Sequence, residues 1–317
     1  MKKEFGIFLL LVALCVVASI LNPRFLSPEN IQNTARLIGM YGIFSLGLGF
    51  VIITGGIDLS VGSIFALLGV LLSIMLVDKH WSPVIAVGVT ILGGMFLGVI
   101  HGLLITRVKL QPFIVTLCGL LFYRGLARFI AGDQTKGFGN AEGFEGLKTL
   151  ATGSIVGVPM PFFLLLLIAA VLWVVLHRSV YGRYLFALGK NEEAARYSGI
   201  DTRMLTASVY VLIGALSGVA GVLIAFYTNS ISPSSHGEGF ELYGIAAAVL
   251  GGCSLRGGEG SIIGILIGAA LLQVLQNLVV LLNIPSSLNL AVVGAVILIG
   301  VTADQLLGQR RRGAARA

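Results

Sequence analysis

The 317 residues are 56% hydrophobic and only 11% charged, with a formal net charge of +7. Soluble domains carry about 25% charged residues, so a freely soluble fold is excluded and an integral membrane protein is implied. The apolar runs are continuous rather than alternating, which argues against a barrel. The basic residues flank those runs with no aromatic platform between them, which sets a nucleic-acid partner aside.

In chain order, runs able to cross the hydrocarbon core as helices fall at 5–21, 36–54, 58–77, 83–106, 112–131, 159–177, 205–228, 240–255, 259–281 and 287–306. They predict an all-α polytopic protein of about ten transmembrane helices, forming one transmembrane domain over 1–317. Lys2 and Lys3 before the first run resemble a signal peptide, and the string ending at Cys15 resembles a lipoprotein box. Leu14 is too bulky for that box, so Phe5–Leu21 is read as a retained helix. Cys15, Cys118 and Cys253 have no partners at metal-ligand spacing and read as small buried side chains.

TGGIDLSVGS (Thr54–Ser63) sets two glycines and an acid between apolar runs. A carboxylate at membrane depth costs about 2.5–3.5 kcal/mol on insertion scales. Asp58 is read as the cap of a helix beginning at Leu59, near the cytoplasmic end; the alternative is that it lines a substrate path. No second acid or histidine stands at helical spacing beside it, which disfavours proton coupling. Gly94, Gly98 and Gly102 stand four apart, as do Gly260, Gly264 and Gly268, and such stripes let two helix backbones approach closely. Arg124 and Arg128, toward the outer half of the fifth span, are expected to snorkel outward; a positive rim at an entrance is the alternative. The glycine-rich 132–158 segment, with Asp133, Glu142 and Glu145, reads as an extracytoplasmic loop.

The chain turns polar and basic over 177–204, around ALGKNEEAARYSGI. Asn191 is a good N-cap. Glu192 and Glu193 suit the positive end of a helix dipole and Arg196 the negative end, and Gly199 is a natural left-handed stop. A helix of about two turns is too short to stand alone in water, so a partner surface is implied. Farther on, Gln273 and Asn277 on one helix face either bridge helices or contact a hydroxyl-rich cargo, and Tyr227 and Asn229 near the outer end either contact cargo or sit in the interface belt. VLGGCSLRGGEGSIIG (Val249–Gly264) is a second glycine break, so the two halves suggest a repeat around a pathway. Arg256 and Glu259 in it read as solvated, with a pair between them available.

With the N-terminus inside, fourteen basic residues fall in inside segments and five outside. This positive-inside asymmetry puts both termini and the 177–204 loop in the cytoplasm. The basic tail after Leu307 then reads as a topology anchor against the lipid bilayer. There is no GxxxxGK[ST], HExxH or GxSxG, and Asp58 and Asp304 lack the context of a catalytic dyad. No enzyme is indicated.

Four strings in order resemble the permease subunits of ribose-type bacterial ABC sugar importers: ITGGIDLSVGS (Ile53–Ser63), QPFIVTL with YRGLA (Gln111–Leu117 and Tyr123–Ala127), ALGKNEEAARYSGI (Ala187–Ile200) and ELYGIAAAVLGGCSLRGGEGS (Glu241–Ser261). The resemblance implies an inner-membrane permease of about ten helices working by alternating access. Its partners would be a cytoplasmic ABC ATPase, a periplasmic sugar-binding protein and a second permease copy or paralogue. Asn191, Glu192, Glu193, Ala194, Ala195, Arg196 and Gly199 would form the coupling helix seated on that ATPase. No cofactor is implied. His101, Tyr243, Gly244 and Cys253 depart from the family pattern, so the sugar stays unassigned. The competing reading is a stand-alone carrier for a small polar solute.

Overall fold

The computed structural model describes residues 2–139 and 143–285, with only scattered positions beyond Pro285. The expected span at 287–306, Asp304, Glu142 and the basic tail fall essentially outside the described residues. The helices are α1 (Lys2–Leu21), α2 (Pro28–Ile53), α3 (Val61–Ser73), α4 (Pro83–Thr106), α5 (Pro112–Ala131), α6 (Glu145–Thr152), α7 (Met160–Arg178), α8 (Val180–Lys190), α9 (Glu192–Tyr197), α10 (Thr202–Thr228), α11 (Phe240–Leu250) and α12 (Ile262–Leu281). Four strands of two residues each decorate the end opposite α8 and α9: β1 (Lys136–Gly137) pairs antiparallel with β4 (Ser230–Ile231), and β2 (Ser154–Ile155) with β3 (Val158–Pro159). The 132–158 segment thus holds α6 and short strand pairs.

Eight helices are long and apolar enough to cross a membrane, counting α3 with the π-helical turn Ile74–Asp78 that extends it. Capping explains where the expected boundaries moved. α2 starts at Pro28 rather than 36, because the Ser27 hydroxyl accepts the Asn30 N–H and Pro28 needs no hydrogen bond at the first position. α10 starts at Thr202 because the Asp201 carboxylate accepts the Met204 N–H. The expected span 240–255 contracts to the eleven residues of α11, which stops where Gly251 and the left-handed Gly252 follow. Ser261 then caps α12, so that helix begins at Ile262 rather than 259.

The most hydrophobic windows of α2, α3 and α10 are 78% buried, against 6% for α1 and 22–28% for α4, α5 and α7. The first three form the centre and the others present apolar side chains outward, among them Phe8, Leu92, Phe122 and Leu167, as a lipid solvent permits. Cys118 is among the outward residues, contrary to its expected burial; Cys253 is buried. A ring cluster at mid-length joins α2, α3 and α11. Phe44 lies 5.3 Å from Phe65 and 6.2 Å from Phe240, and Tyr41 lies 4.8 Å from Phe240. It pins the start of α11 halfway along α2.

Both glycine stripes are helix seams. On α4, a Cβ at Gly94 would collide with the Gly214 carbonyl of α10, one at Gly98 with the Tyr210 carbonyl, and one at Gly102 would crowd the Ala207 backbone. On α12, Gly264 lies against Gly251 and Gly268 against the Ala247 carbonyl. Gly98→Leu is therefore expected to destabilise the folded protein by at least about 1–3 kcal/mol. Gly88→Ala, on the same helix with open space around it, should be neutral or slightly stabilising. Thermal unfolding of the two variants in detergent checks the difference.

Candidate functional site

The two glycine breaks, far apart in sequence, meet in space. The last carbonyls of a helix have no partner within it, and the Ile53 carbonyl at the end of α2 accepts the Gly258 N–H at 2.8 Å. Gly189, near the end of α8, lies so close that a Cβ there would strike both the Ile53 oxygen and the Gly258 nitrogen. Gly257 is folded against Gly189 and Gly55 in its turn, with φ near +80° at both Gly55 and Gly257. Lys190 Nζ stands 3.4 Å from Glu259 Oε1, so the acid of the second break pairs with α8. Arg256 is exposed.

The 177–204 segment carries two helices, where the sequence predicts one short helix. The Ser179 hydroxyl accepts the Gly182 N–H to start α8, and Asn191 Oδ1 accepts the Ala194 N–H at 3.0 Å to start α9. The turn ends at Gly199, φ +82°. Ala195 is the one α9 residue buried against the bundle, whereas Asn191, Glu192, Glu193, Ala194, Arg196 and Gly199 are exposed. Tyr197 and Met204 are 82% and 72% exposed, and the Arg196 guanidinium lies 5.8 Å from the Tyr197 ring centre. A hollow of about 520 Å³ opens beside α9, lined by Glu192, Glu193, Arg196, Gly55, Lys109 and Tyr210 among others.

Asp58 corrects its expected role. α3 begins at Val61, not Leu59, and Asp58 does not cap it. Its Oδ1 accepts the Ser60 N–H at 2.8 Å and the Ser60 hydroxyl at 2.6 Å, which shapes the turn before the helix. Oδ2 stands 4.0 Å from His101 Nδ1, and His101 Nε2 lies 2.8 Å from the Tyr123 hydroxyl. The Tyr210 hydroxyl donates to the Ile57 carbonyl just before. Asp58 is 1% exposed, so it lies in a closed polar cluster spanning the α3 break, α4 and α5. The histidine beside it is carried by another helix, so spacing along its own helix could not reveal it.

The start of α3 packs on the approach to α11: the Glu241 carboxylate and the Gly237 carbonyl both lie against Gly62. Arg124 does not snorkel outward. Its Nη1 donates to the His236 carbonyl at 2.7 Å and the Pro233 carbonyl at 3.3 Å. Arg128 is exposed and holds Asp133 at 2.6 and 3.1 Å, which lowers the Asp133 carboxyl below its ordinary value.

The other expected path residues separate. Asn277 exchanges two hydrogen bonds with Asn30, at 2.7 and 3.0 Å, and so bridges α12 to α2. The Tyr227 hydroxyl donates to Asn33 one turn along the same helix. Asn229 is the exposed left-handed cap of α10, and Gln273 is buried. None of them lies in the Asp58 cluster. Of the departures from the family pattern, Gly244 lies against Phe44 and Leu48 and Cys253 against Gly260, both in packing contacts. Among the described residues no group of three or more His, Cys, Asp or Glu could hold a metal ion.

Residues 30–301 match the model of a family described as branched-chain amino acid transport system / permease component. The chain is 42% identical over 304 residues to the ribose import permease of Bacillus subtilis, covering 96% of this chain and 93% of that protein. It is 36% identical to the ribose import permease of Haemophilus influenzae, covering 96% and 94%, and 32% identical to the D-allose transport system permease of Escherichia coli, covering 96% and 91%. No solved structure matches. The chain therefore belongs to this family of transport permeases, among the ribose-type ABC import permeases, and is a multi-pass protein of the inner membrane.

Proposed function

We propose that this permease carries a monosaccharide or small sugar-like solute inward by alternating access, driven by a separate cytoplasmic ATPase. A periplasmic binding protein delivers the solute, and a second permease copy or paralogue completes the channel. The names of the relatives, which import ribose or allose, support the solute class. The charge asymmetry supports ten spans with both termini and 177–204 in the cytoplasm.

The observation that carries the coupling assignment is the placement of α9. It offers Glu192, Glu193, Arg196 and Tyr197 to solvent and seats only Ala195 on its own bundle. It follows directly on the Gly189 junction that joins both glycine breaks. A helix of six residues with polar and aromatic side chains turned outward fits a groove on another protein, and the junction would carry its displacement into the centre of the bundle. A stand-alone proton-coupled carrier needs a carboxylate open to water in turn on each side, and Asp58 is enclosed.

Reversing the charge at Glu193 (Glu193→Arg) is expected to cut ATP-driven uptake roughly tenfold, equivalent to about 1.4 kcal/mol at the contact, with the amount of inserted protein unchanged. Normal uptake by that variant in vesicles containing the ATPase would remove α9 from the coupling surface. For the topology, Lys136→Cys is expected to react with an impermeant thiol reagent from outside intact cells, and Lys190→Cys only after the membrane is opened. The reverse pattern would invert the orientation.

A further inference from the structure

Between β4 and α11 the chain enters the bundle as irregular backbone and continues through it into α11. Arg124, which holds the Pro233 and His236 carbonyls, is the thirteenth of the twenty residues of α5. At 1.5 Å per residue it lies roughly 10 Å from one end of that helix and 18 Å from the other. Gly237 packs on Gly62 and on the Phe65 ring at the start of α3, and α11, eleven residues long, spans the remaining roughly 16 Å toward the α8–α9 end. Residues 232–239 are thus irregular backbone at membrane depth.

Such backbone is tolerated there only where it is buried in protein or lines water. Pro233, His236 and Gly237 are buried, but Ser234, Ser235 and Glu238 are exposed. A carboxylate turned to lipid at this depth is costly, and nothing forces it outward. The turn is held firmly: Arg124 fixes two of its carbonyls, and Ser232 shares hydrogen bonds with Ser234 and Ser235 at 3.1 and 3.0 Å. Arg124 has Glu238 and Glu241 as its charged neighbours. The His236 ring lies behind, 8% exposed, with its buried Nε2 unpartnered among the described residues. The surface left open therefore offers hydroxyls and one carboxylate, and no free cation among the described residues of the turn.

We propose that 232–239 is the irregular part of a broken membrane crossing completed by α11, and that its Ser234, Ser235 and Glu238 line the water-filled pathway and hydrogen-bond a neutral, hydroxyl-rich solute part-way across the membrane. The facing wall is supplied by the second permease, so the inference rests on the importer reading above. An uncharged polyol suits this surface: its hydroxyls donate to Glu238 and exchange hydrogen bonds with the serines. A solute carrying a free carboxylate meets like charge. Glu238 is then a specificity-determining residue, and Arg124 a positioning residue that holds the turn at this depth.

The test uses the complete assembly with its ATPase and binding protein, in which Cys15, Cys118 and Cys253 are replaced by serine. Ser235→Cys is expected to react with a charged, impermeant methanethiosulfonate in at least one nucleotide state, whereas the apolar surface residue variant Leu121→Cys reacts only with a lipophilic maleimide. Failure of Ser235→Cys to react with the charged reagent in every state, with Lys190→Cys still labelled in opened membranes, would overturn the proposal. Labelling is read in the membrane, so it is decided whether or not the assembly carries sugar. D-ribose uptake by the unaltered assembly separately judges the importer reading. Glu238→Gln is expected to slow D-ribose uptake about tenfold, as loss of one charge-assisted hydrogen bond would, while the binding protein still stimulates ATP hydrolysis. Uptake within twofold of the unaltered rate would remove Glu238 from the pathway.

Discussion

One backbone contact organises the α8–α9 end of the molecule: the Ile53 carbonyl receiving the Gly258 N–H, with Gly189 pressed against both. It joins the end of α2, the turn before α12 and the end of α8 without an intervening side chain. Helix ends leave carbonyls that lipid cannot satisfy, and here the orphan carbonyl of one element is answered by the N–H of another. Only glycine permits the approach at 189, and only glycine is comfortable with the positive φ at 55, 257 and 258. The glycines that interrupt the apolar runs are thus the means by which those runs are assembled.

The same logic governs the middle of the bundle. α3 and α11 both begin inside the membrane-spanning region, and each would leave unpaired N–H groups there. Glu241, on the first turn of α11, sets its carboxylate against Gly62 at the start of α3, while Asp58 and Ser60 hold the approach to it. Acids that a linear reading treats as isolated costs are, in the folded chain, counterparts to broken helices.

Long apolar periodic runs made most of the helices legible, and their ends at Thr106, Ala131 and Arg178 agree closely with the structure because turn residues and charges follow them. The glycine stripes were legible as seams, although not which helix each would meet. Other features depended on partners distant in sequence. Asp58 reads as a cap because its neighbours along the chain allow one; His101 and Tyr123, which share its cluster, lie on other helices. Arg124 reads as a surface residue because snorkelling is the usual fate of a cation near a helix end, and the two carbonyls it binds come from a loop more than a hundred positions later. Asn277 was readable as helix-bridging in kind, but Asn30 was not readable as its partner. Short caps such as Ser27 and Asp201 were present in the sequence and simply outweighed by hydropathy, which starts a helix where the apolar residues start.

The seam between α4 and α10 has a mechanical consequence. A contact made of interdigitated side chains can yield by changing rotamers, but Gly94, Gly98, Gly214 and Gly218 have none to change. α10 follows α9 after the short link Ser198–Asp201 and is the longest helix described, at 27 residues. A displacement delivered to its first turn therefore has little slack in which to dissipate and moves α4 with it. The two helices would act as one stiff strut, whereas α1, the least buried of the spans, packs on α12 and stands outside it.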